Sequence, residues 1–285
     1  MKNRIQTIFV VLICCVSFFS TAQTAPQQNS VLWEVSGNGL KQPSYLFGTI
    51  HMICSKDFKM WPKATSALAK SSQLTLEINM ADPAQMAQAQ QLAMAKNPLS
   101  QTLTNAQQTD LNMVLQKAGI GTLAQMDSFT LETLMSFVFM KSFGCPDIKF
   151  YELEFVNMAK ERNKPVTGLE TVAQQMEFLN QSFTDDQMIA YLKTIDPAMC
   201  QEMVDTYTSE NLDGIYQMMV KDESLSGAAQ QILLSNRNAN WVKLIPEMMQ
   251  KQSTFFAVGS AHLAGEQGII NLLKKAGYTL KPIMN

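Results

Sequence analysis

Short apolar runs recur along the chain between longer helical stretches. Val31 to Val35, Tyr45 to Ile50, Leu74 to Ile78, Val166 to Glu170, Thr254 to Gly259 and Tyr278 to Ile283 have the length and the branched or aromatic content of strands. Gly37-Asn38-Gly39 separates the first two and predicts a hairpin. Elsewhere the period becomes helical. Trp61-Pro62 opens a helix through Ala64, Leu68 and Ala69, and Pro83 to Lys96 is rich in Ala, Gln and Met. Asn105 is placed to cap Ala106 to Ala118, with Gly121 beyond, and Asp127 or Ser128 to cap an apolar helix through Phe143. Tyr151 to Arg162 carries Leu153, Val156 and Ala159 at helical spacing. A further helical stretch covers about Thr171 to Gln250, broken at Asp196-Pro197 and Asp213-Gly214. The last helix, Glu266 to Ala276, has the stripe Ile269, Leu272, Leu273 and Ala276, with Gly277 at its C-cap. This order predicts an α/β fold with a central mixed β-sheet and helical insertions. No Pro-, Gly- or Ser-rich linker divides residues 23–285, which read as a single domain.

The chain has only two histidines, and both close a G-x-x-H: Gly48-Thr49-Ile50-His51 and Gly259-Ser260-Ala261-His262. Each motif directly follows an apolar, aromatic strand, so each histidine projects from the end of a sheet, where α/β proteins keep their ligand sites. Both ends of the chain share a β–GxxH–α–β layout, a remote pseudo-repeat. A shared site predicts imidazoles within about 10 Å of each other, since metal–nitrogen bonds are near 2 Å.

The N-terminus changes the compartment. Lys2 and Arg4 precede the apolar run Ile8 to Phe19, and Ser20-Thr21-Ala22 offers small residues for cleavage. Residues 1–22 read as a secretory signal peptide, too short to span a membrane, which predicts an exported protein, periplasmic or secreted, with no transmembrane span in the mature chain. The formal net charge of −2 becomes −4 without Lys2 and Arg4, and no basic footprint for nucleic acid appears. Cys54, Cys145 and Cys200 remain, enough for one disulfide and one free thiol. Cys54 lies just past His51 and Cys145 precedes a segment placed near the site, so these two are the expected pair.

Two histidines cannot build a three-histidine metal site, so a third ligand must be a carboxylate or Cys54. Glu77 and Glu170 each stand at the end of a predicted buried strand, where a charge is costly unless paired or metal-bound. A set of His51, His262, Glu77 and Glu170 suits Mn, Co, Fe or Zn. Such a metal would acidify a bound water, and an unbound carboxylate could act as general base. Arg237, one of two arginines in the mature chain, is a planar fork suited to holding a carboxylate, either an active-site glutamate or a peptide terminus. No G-x-S-x-G, P-loop, dinucleotide fingerprint or H-E-x-x-H is present.

At Leu32-Trp33, Tyr45 to His51, Glu77, Gly168-Leu169-Glu170-Thr171 with Gln174, Arg237-Asn238 and Val258 to Gly265, the chain resembles the TraB/PrgY/GumN family, which includes the Tiki metalloproteases. The resemblance implies a fold related to the erythromycin-esterase/ChaN group and, in the Tiki branch, peptide cleavage dependent on manganese or cobalt. Carried over, the site is His51, His262, Glu77 and Glu170, with Arg237 in support and Glu152 behind them. The leading expectation is an exported metal-dependent hydrolase with a peptide or small-protein substrate. The alternative is a non-catalytic module of the same fold that binds a peptide or haem.

Overall fold

The computed structural model describes residues 29–221 and 227–285, so the expected signal peptide lies outside the described residues. Six strands form one sheet: β1 (Leu32–Ser36), β2 (Ser44–Thr49), β4 (Gln73–Ile78), β6 (Val166–Glu170), β7 (Thr254–Gly259) and β8 (Thr279–Pro282). A second sheet pairs β3 (Met52–Cys54) with β5 (Ile148–Phe150). The large sheet is mixed, in the order β6-β4-β7-β2-β1-β8. β6, β4, β7 and β2 run parallel, while β1 is antiparallel to both β2 and β8. β2 and β7 are buried at every position, as expected of strands covered on both faces. The carboxyl ends of the four parallel strands therefore share one edge, and β2, β4, β6 and β7 all deliver site residues there.

The expected strands over 166–170 and 254–259 match β6 and β7 end to end. The two ends of the chain diverge after their histidines. β4 lies parallel beside β7, whereas β8 pairs antiparallel with β1 at the far edge. Two helix starts also differ from expectation. Thr104, not Asn105, caps Asn105–Lys117, because Thr104 accepts from the Gln107 amide while the Gln107 side chain reaches back. Thr130 caps Leu131–Ser142, since Asp127 is already bonded to the amide and hydroxyl of Ser100.

Two apolar clusters hold the molecule. One packs the sheet under Phe47, Trp61, Tyr151, Phe155, Tyr207 and Phe255. The other lies among the helices around Leu111, Leu134, Val138, Ile189 and Leu192. In Tyr151–Glu161 the buried face is Tyr151, Phe155, Val156 and Ala159, together with Glu152, while Leu153 faces solvent. Among the described residues no helix is long and apolar enough to cross a membrane.

The small sheet and a disulfide tie two parts of the site together. Cys54 and Cys145 are bonded, as expected, and Cys54 pairs with Ile148 in the ladder. The Tyr151 amide donates to the His51 carbonyl at 3.0 Å. The segment leaving His51 is thus fixed against the start of the helix that carries Glu152.

Candidate functional site

His51 stands just beyond β2 in the left-handed region, at φ 59°. A non-glycine residue there is under backbone strain, which concentrates at functional sites. Its Nδ1 faces Glu152 Oε1 at 2.8 Å, and the Thr49 hydroxyl donates to the same oxygen at 2.6 Å. A carboxylate only accepts, so the Nδ1 proton lies in that bond and Nε2 is turned into the site. Burial alone would lower the His51 pKa, but the charge and hydrogen bond of Glu152, aided by Glu77, push it to about 9. The side chain is 52% exposed, so solvent screens part of that attraction.

His262 comes from the short 3-10 turn Ser260–His262 and is buried. Its Nδ1 meets Asn238 Oδ1 at 2.7 Å. The Asn238 amide nitrogen donates to the His262 and Gln267 carbonyls, which settles the orientation of that side chain. His262 therefore carries its proton on Nδ1 and presents Nε2 as a lone pair. Burial and the nearby Arg237 charge hold its pKa down at about 3.

Glu77, the penultimate residue of β4, lies between the two imidazoles. Each Nε2 is 3.9 Å from Glu77 Oε1, so the two nitrogens are at most twice that distance apart. The Gly259 amide donates to Oε1 at 2.7 Å, and Arg237 Nη2 donates to Oε2 at 2.5 Å. Burial pushes the Glu77 pKa up, but Arg237, the histidines and the Gly259 amide hold it well below the usual carboxylate range.

Glu170, at the end of β6, is anchored differently. It accepts from Arg237 Nη2 at 2.7 Å, from Trp241 Nε1 at 3.0 Å and from Gln175 Nε2 at 3.2 Å. Burial raises its pKa, with Arg237 opposing. Gln175 bridges Glu170 to Glu77, donating to the latter at 3.1 Å. Arg237 itself is buried, with its guanidinium 4.7 Å from the centre of the Trp241 ring.

The glycines of the two motifs explain each other. A Cβ on Gly48 would lie 2.7 Å from Ser260 Oγ, inside the second motif. A Cβ on Gly259 would lie 3.0 Å from His51 Nε2, inside the first, and 3.3 Å from Glu77 Oε1 on β4. Gly48 lets the two chain segments approach, and Gly259 leaves the space between His51 and Glu77.

The chain's fold brings all five expected residues, His51, Glu77, Glu170, Arg237 and His262, into one cluster. Asn238, Gln175, Trp241 and Thr49 join them without having been assigned a role from sequence. Asn238 had a signal in its adjacency to Arg237, and Trp241 in its position one helical turn further on. Gln175 had none: its neighbour Gln174, part of the recognisable motif, serves the capping box of Val172–Ser182 instead.

Among the described residues, no three His, Cys, Asp or Glu side chains stand close enough together to hold a metal ion. The residue types, two imidazoles and a carboxylate, are ones that divalent cations take, but the side chains as placed stand wider apart than coordination requires. His51 Nε2 and Glu77 Oε1 face the space over the bare Gly259 Cα, His262 Nε2 lies 3.9 Å from the same Glu77 oxygen with Arg237 Nη1 3.0 Å away, and each imidazole is fixed through its other nitrogen. The separation of 3.9 Å exceeds by about half an ångström the spacing of two donors whose bonds to one ion are near 2.1 Å.

The sequence profile of the TraB/PrgY/gumN family matches residues 31–282, nearly the whole described chain. The chain belongs to the TraB/PrgY/gumN family. The chain is similar to metalloprotease TIKI1 of Xenopus tropicalis, 20% identical across 88% of this chain. The chain spans 61% of the length of that relative. The matched residues include both G-x-x-H motifs and every strand of the sheet.

Proposed function

We propose that the protein is an exported metal-dependent hydrolase of peptides, its metal held by His51, His262 and Glu77. One observation carries this reading: the two histidines, from opposite ends of the chain, each bring Nε2 to 3.9 Å from the same oxygen of Glu77. The similarity to a metalloprotease supports the reaction class. A manganese or cobalt ion, with zinc or iron as alternatives, would supply an acidified water and polarise a peptide carbonyl. The protein's part is positional. Glu152 and Asn238 fix the two imidazoles, the Gly259 amide fixes Glu77, and Arg237 keeps Glu77 and Glu170 side by side. Glu170, the carboxylate with the higher proton affinity, is the candidate general base and an additional donor to the metal if Arg237 yields it. His51 is half exposed while the others are closed in behind it, so a peptide reaches the site past His51. The parallel strand ends and the paired motifs also support an erythromycin-esterase/ChaN-like architecture for residues 23–285 as one domain.

A second reading draws on the same enclosure. Glu77, Glu170, Arg237 and His262 bond one another, which also suits a non-catalytic module that binds a peptide or haem beside His51. Metal analysis of protein purified without a histidine tag separates the two. The hydrolase reading expects a bound first-row metal, cleavage of an unstructured peptide library, inhibition by chelator and loss of rate in His262→Ala. Stoichiometric haem with a Soret band, or tight peptide binding with no cleavage product by mass spectrometry, overturns it.

A further inference from the structure

A cavity of about 400 Å³ lies among the helical insertions, and no residue of the Arg237 cluster lines it. The helices Asn105–Lys117 and Leu131–Ser142 both end beside it. Asp185–Thr194 packs on both, but Ile195 and Asp196 are extended ahead of Pro197, and the gap opens there. The floor is apolar: Val114, Val138, Leu192 and Ile195, each more than nine-tenths buried. The charged side chains of the lining divide into two groups. Lys193 is paired with Asp110 at 2.6 Å, and Asp196 accepts from the Met199 amide. The ammonium groups of Lys117 and Lys141 have no ion pair or hydrogen bond among the described residues. Each stands in the last turn of its helix, where the terminal carbonyls favour a cation, so the two lysines alone would mean little. Ser142 is not explained that way. It is 8% exposed and lines the cavity, yet its hydroxyl has no hydrogen-bond partner among the described residues. A helical serine can bond back to the carbonyl four residues before it, as Ser182 does to Phe178. Buried polar groups are normally satisfied, so the free hydroxyl calls for a partner in the cavity.

We propose that this cavity binds the anion of a medium-chain monocarboxylic acid. The free polar groups of the lining, Lys117 Nζ, Lys141 Nζ and the Ser142 hydroxyl, are all able to donate, and an ionised carboxylate only accepts. The tail lies along Val114, Val138, Leu192 and Ile195 and is withdrawn from water. A cationic head would be repelled by the two lysines, and a neutral head would leave their charges unpaired. Volume sets the chain length. A water-sized group takes about 30 Å³, so the cavity holds about thirteen of them, close to the size of decanoate. Met113, 53% exposed at the rim, is an unbranched apolar side chain able to fold over the tail. Binding here is independent of the hydrolase reading, since it needs neither a metal nor Arg237.

Isothermal titration of the full chain with decanoate at neutral pH tests it, with decanol and decyltrimethylammonium as probes of the head group. Decanoate should bind one per chain. Decanol should bind at least about tenfold more weakly, the size of one charge-assisted hydrogen bond, and decyltrimethylammonium should not bind. The double variant Lys117→Gln, Lys141→Gln should lose at least about tenfold in decanoate affinity, and Ser142→Ala should lose severalfold. Lys70 and Lys251 are exposed lysines in the last turns of other helices and line no part of this cavity. Lys70→Gln, Lys251→Gln should therefore bind decanoate as the wild type does. All these lysines are at the surface, so the variants are expected to fold, and thermal unfolding checks it. Absence of decanoate binding overturns the proposal, as does equal affinity for decanol. So does an affinity that both double variants lower alike, which would mark diffuse attraction to surface charge. If Ser142→Ala fails to fold, the lysine variants and the head-group series decide.

Discussion

Gly259→Ala separates the site from the fold that carries it. Gly259 has φ −53° and ψ 135°, a conformation alanine adopts without strain, so the backbone gives no reason for a penalty. The added methyl meets His51 Nε2 at 3.0 Å, Glu77 Oε1 at 3.3 Å and His51 Cε1 at 3.4 Å. Ordinary carbon contacts lie near 3.5 to 4.0 Å, so something must move by about half an ångström. Glu77 is held by the Gly259 amide and by Arg237 in a buried setting and cannot give way cheaply. His51 is half exposed and held by one carboxylate, so His51 moves. Metal sites tolerate about 0.2 Å in their bond lengths. A shift of twice that or more takes His51 out of the ligand set, and the expected loss is about 10- to 100-fold in affinity for Mn²⁺ or Co²⁺, the range seen when a ligand loses its support. Stability should change by less than about 1 kcal/mol, because the displaced ring goes toward solvent. Gly48→Ala is the control. Its methyl would strike Ser260 Oγ at 2.7 Å and the Ser260 Cα at 3.1 Å, between two buried strands, and should cost about 1–3 kcal/mol through overpacking. Isothermal titration and thermal unfolding of both variants read the two effects. Wild-type metal affinity in Gly259→Ala, or a stability loss matching that of Gly48→Ala, would refute the claim that this glycine serves the site.

Further outcomes follow from the charges and the disulfide. With only two histidines, NMR titration of the metal-free protein should show His51 titrating near 9 and His262 still neutral at pH 5; both titrating near 6.5 would contradict the described environments. The sign is fixed by linkage. The raised His51 pKa stabilises the fold fully below about 6.5, and that contribution is lost as pH rises through about 9; Glu152→Gln should move the His51 midpoint down. The lowered His262 pKa contributes stability above about 6.5 that is lost as pH falls toward about 3. Replacing both Cys54 and Cys145 by Ser opens a link across 91 residues and should cost about 4–5 kcal/mol in denaturant unfolding by the chain-entropy estimate, with no change if the bond does not form in solution. Cys200 is buried, and burial with Asp196 nearby pushes its thiol up to about 11, so it should resist a thiol reagent at pH 8 until the protein unfolds.

The strands were legible because burial on both faces writes continuous apolar runs into the sequence, as in Thr254 to Gly259. The site histidines were legible because two rare residues repeated one local context. β3 and β5 were not, because each is a three-residue strand whose pairing depends on a partner far away in sequence. The true helix caps Thr104 and Thr130 were missed beside plausible neighbours, since capping is decided by which side chain has a free oxygen in space.

What the sequence determined by itself was the family, the presence of an α/β sheet and the small set of residues able to do chemistry. Residue type and periodicity are local properties, and they survive without coordinates. Only the tertiary structure decided how those residues divide the work. His51 and His262 each come to 3.9 Å from one oxygen of Glu77, while Glu170 is turned toward Arg237 and Trp241 and Gln175 replaces Gln174 in the site. Arg237 lies on one helix, its carboxylate partners on β4 and β6, and its imidazole partner beyond β7. Which of its five hydrogens meets which acceptor follows from how four parallel strand ends and one helix pack together, a relation no single stretch of the chain contains.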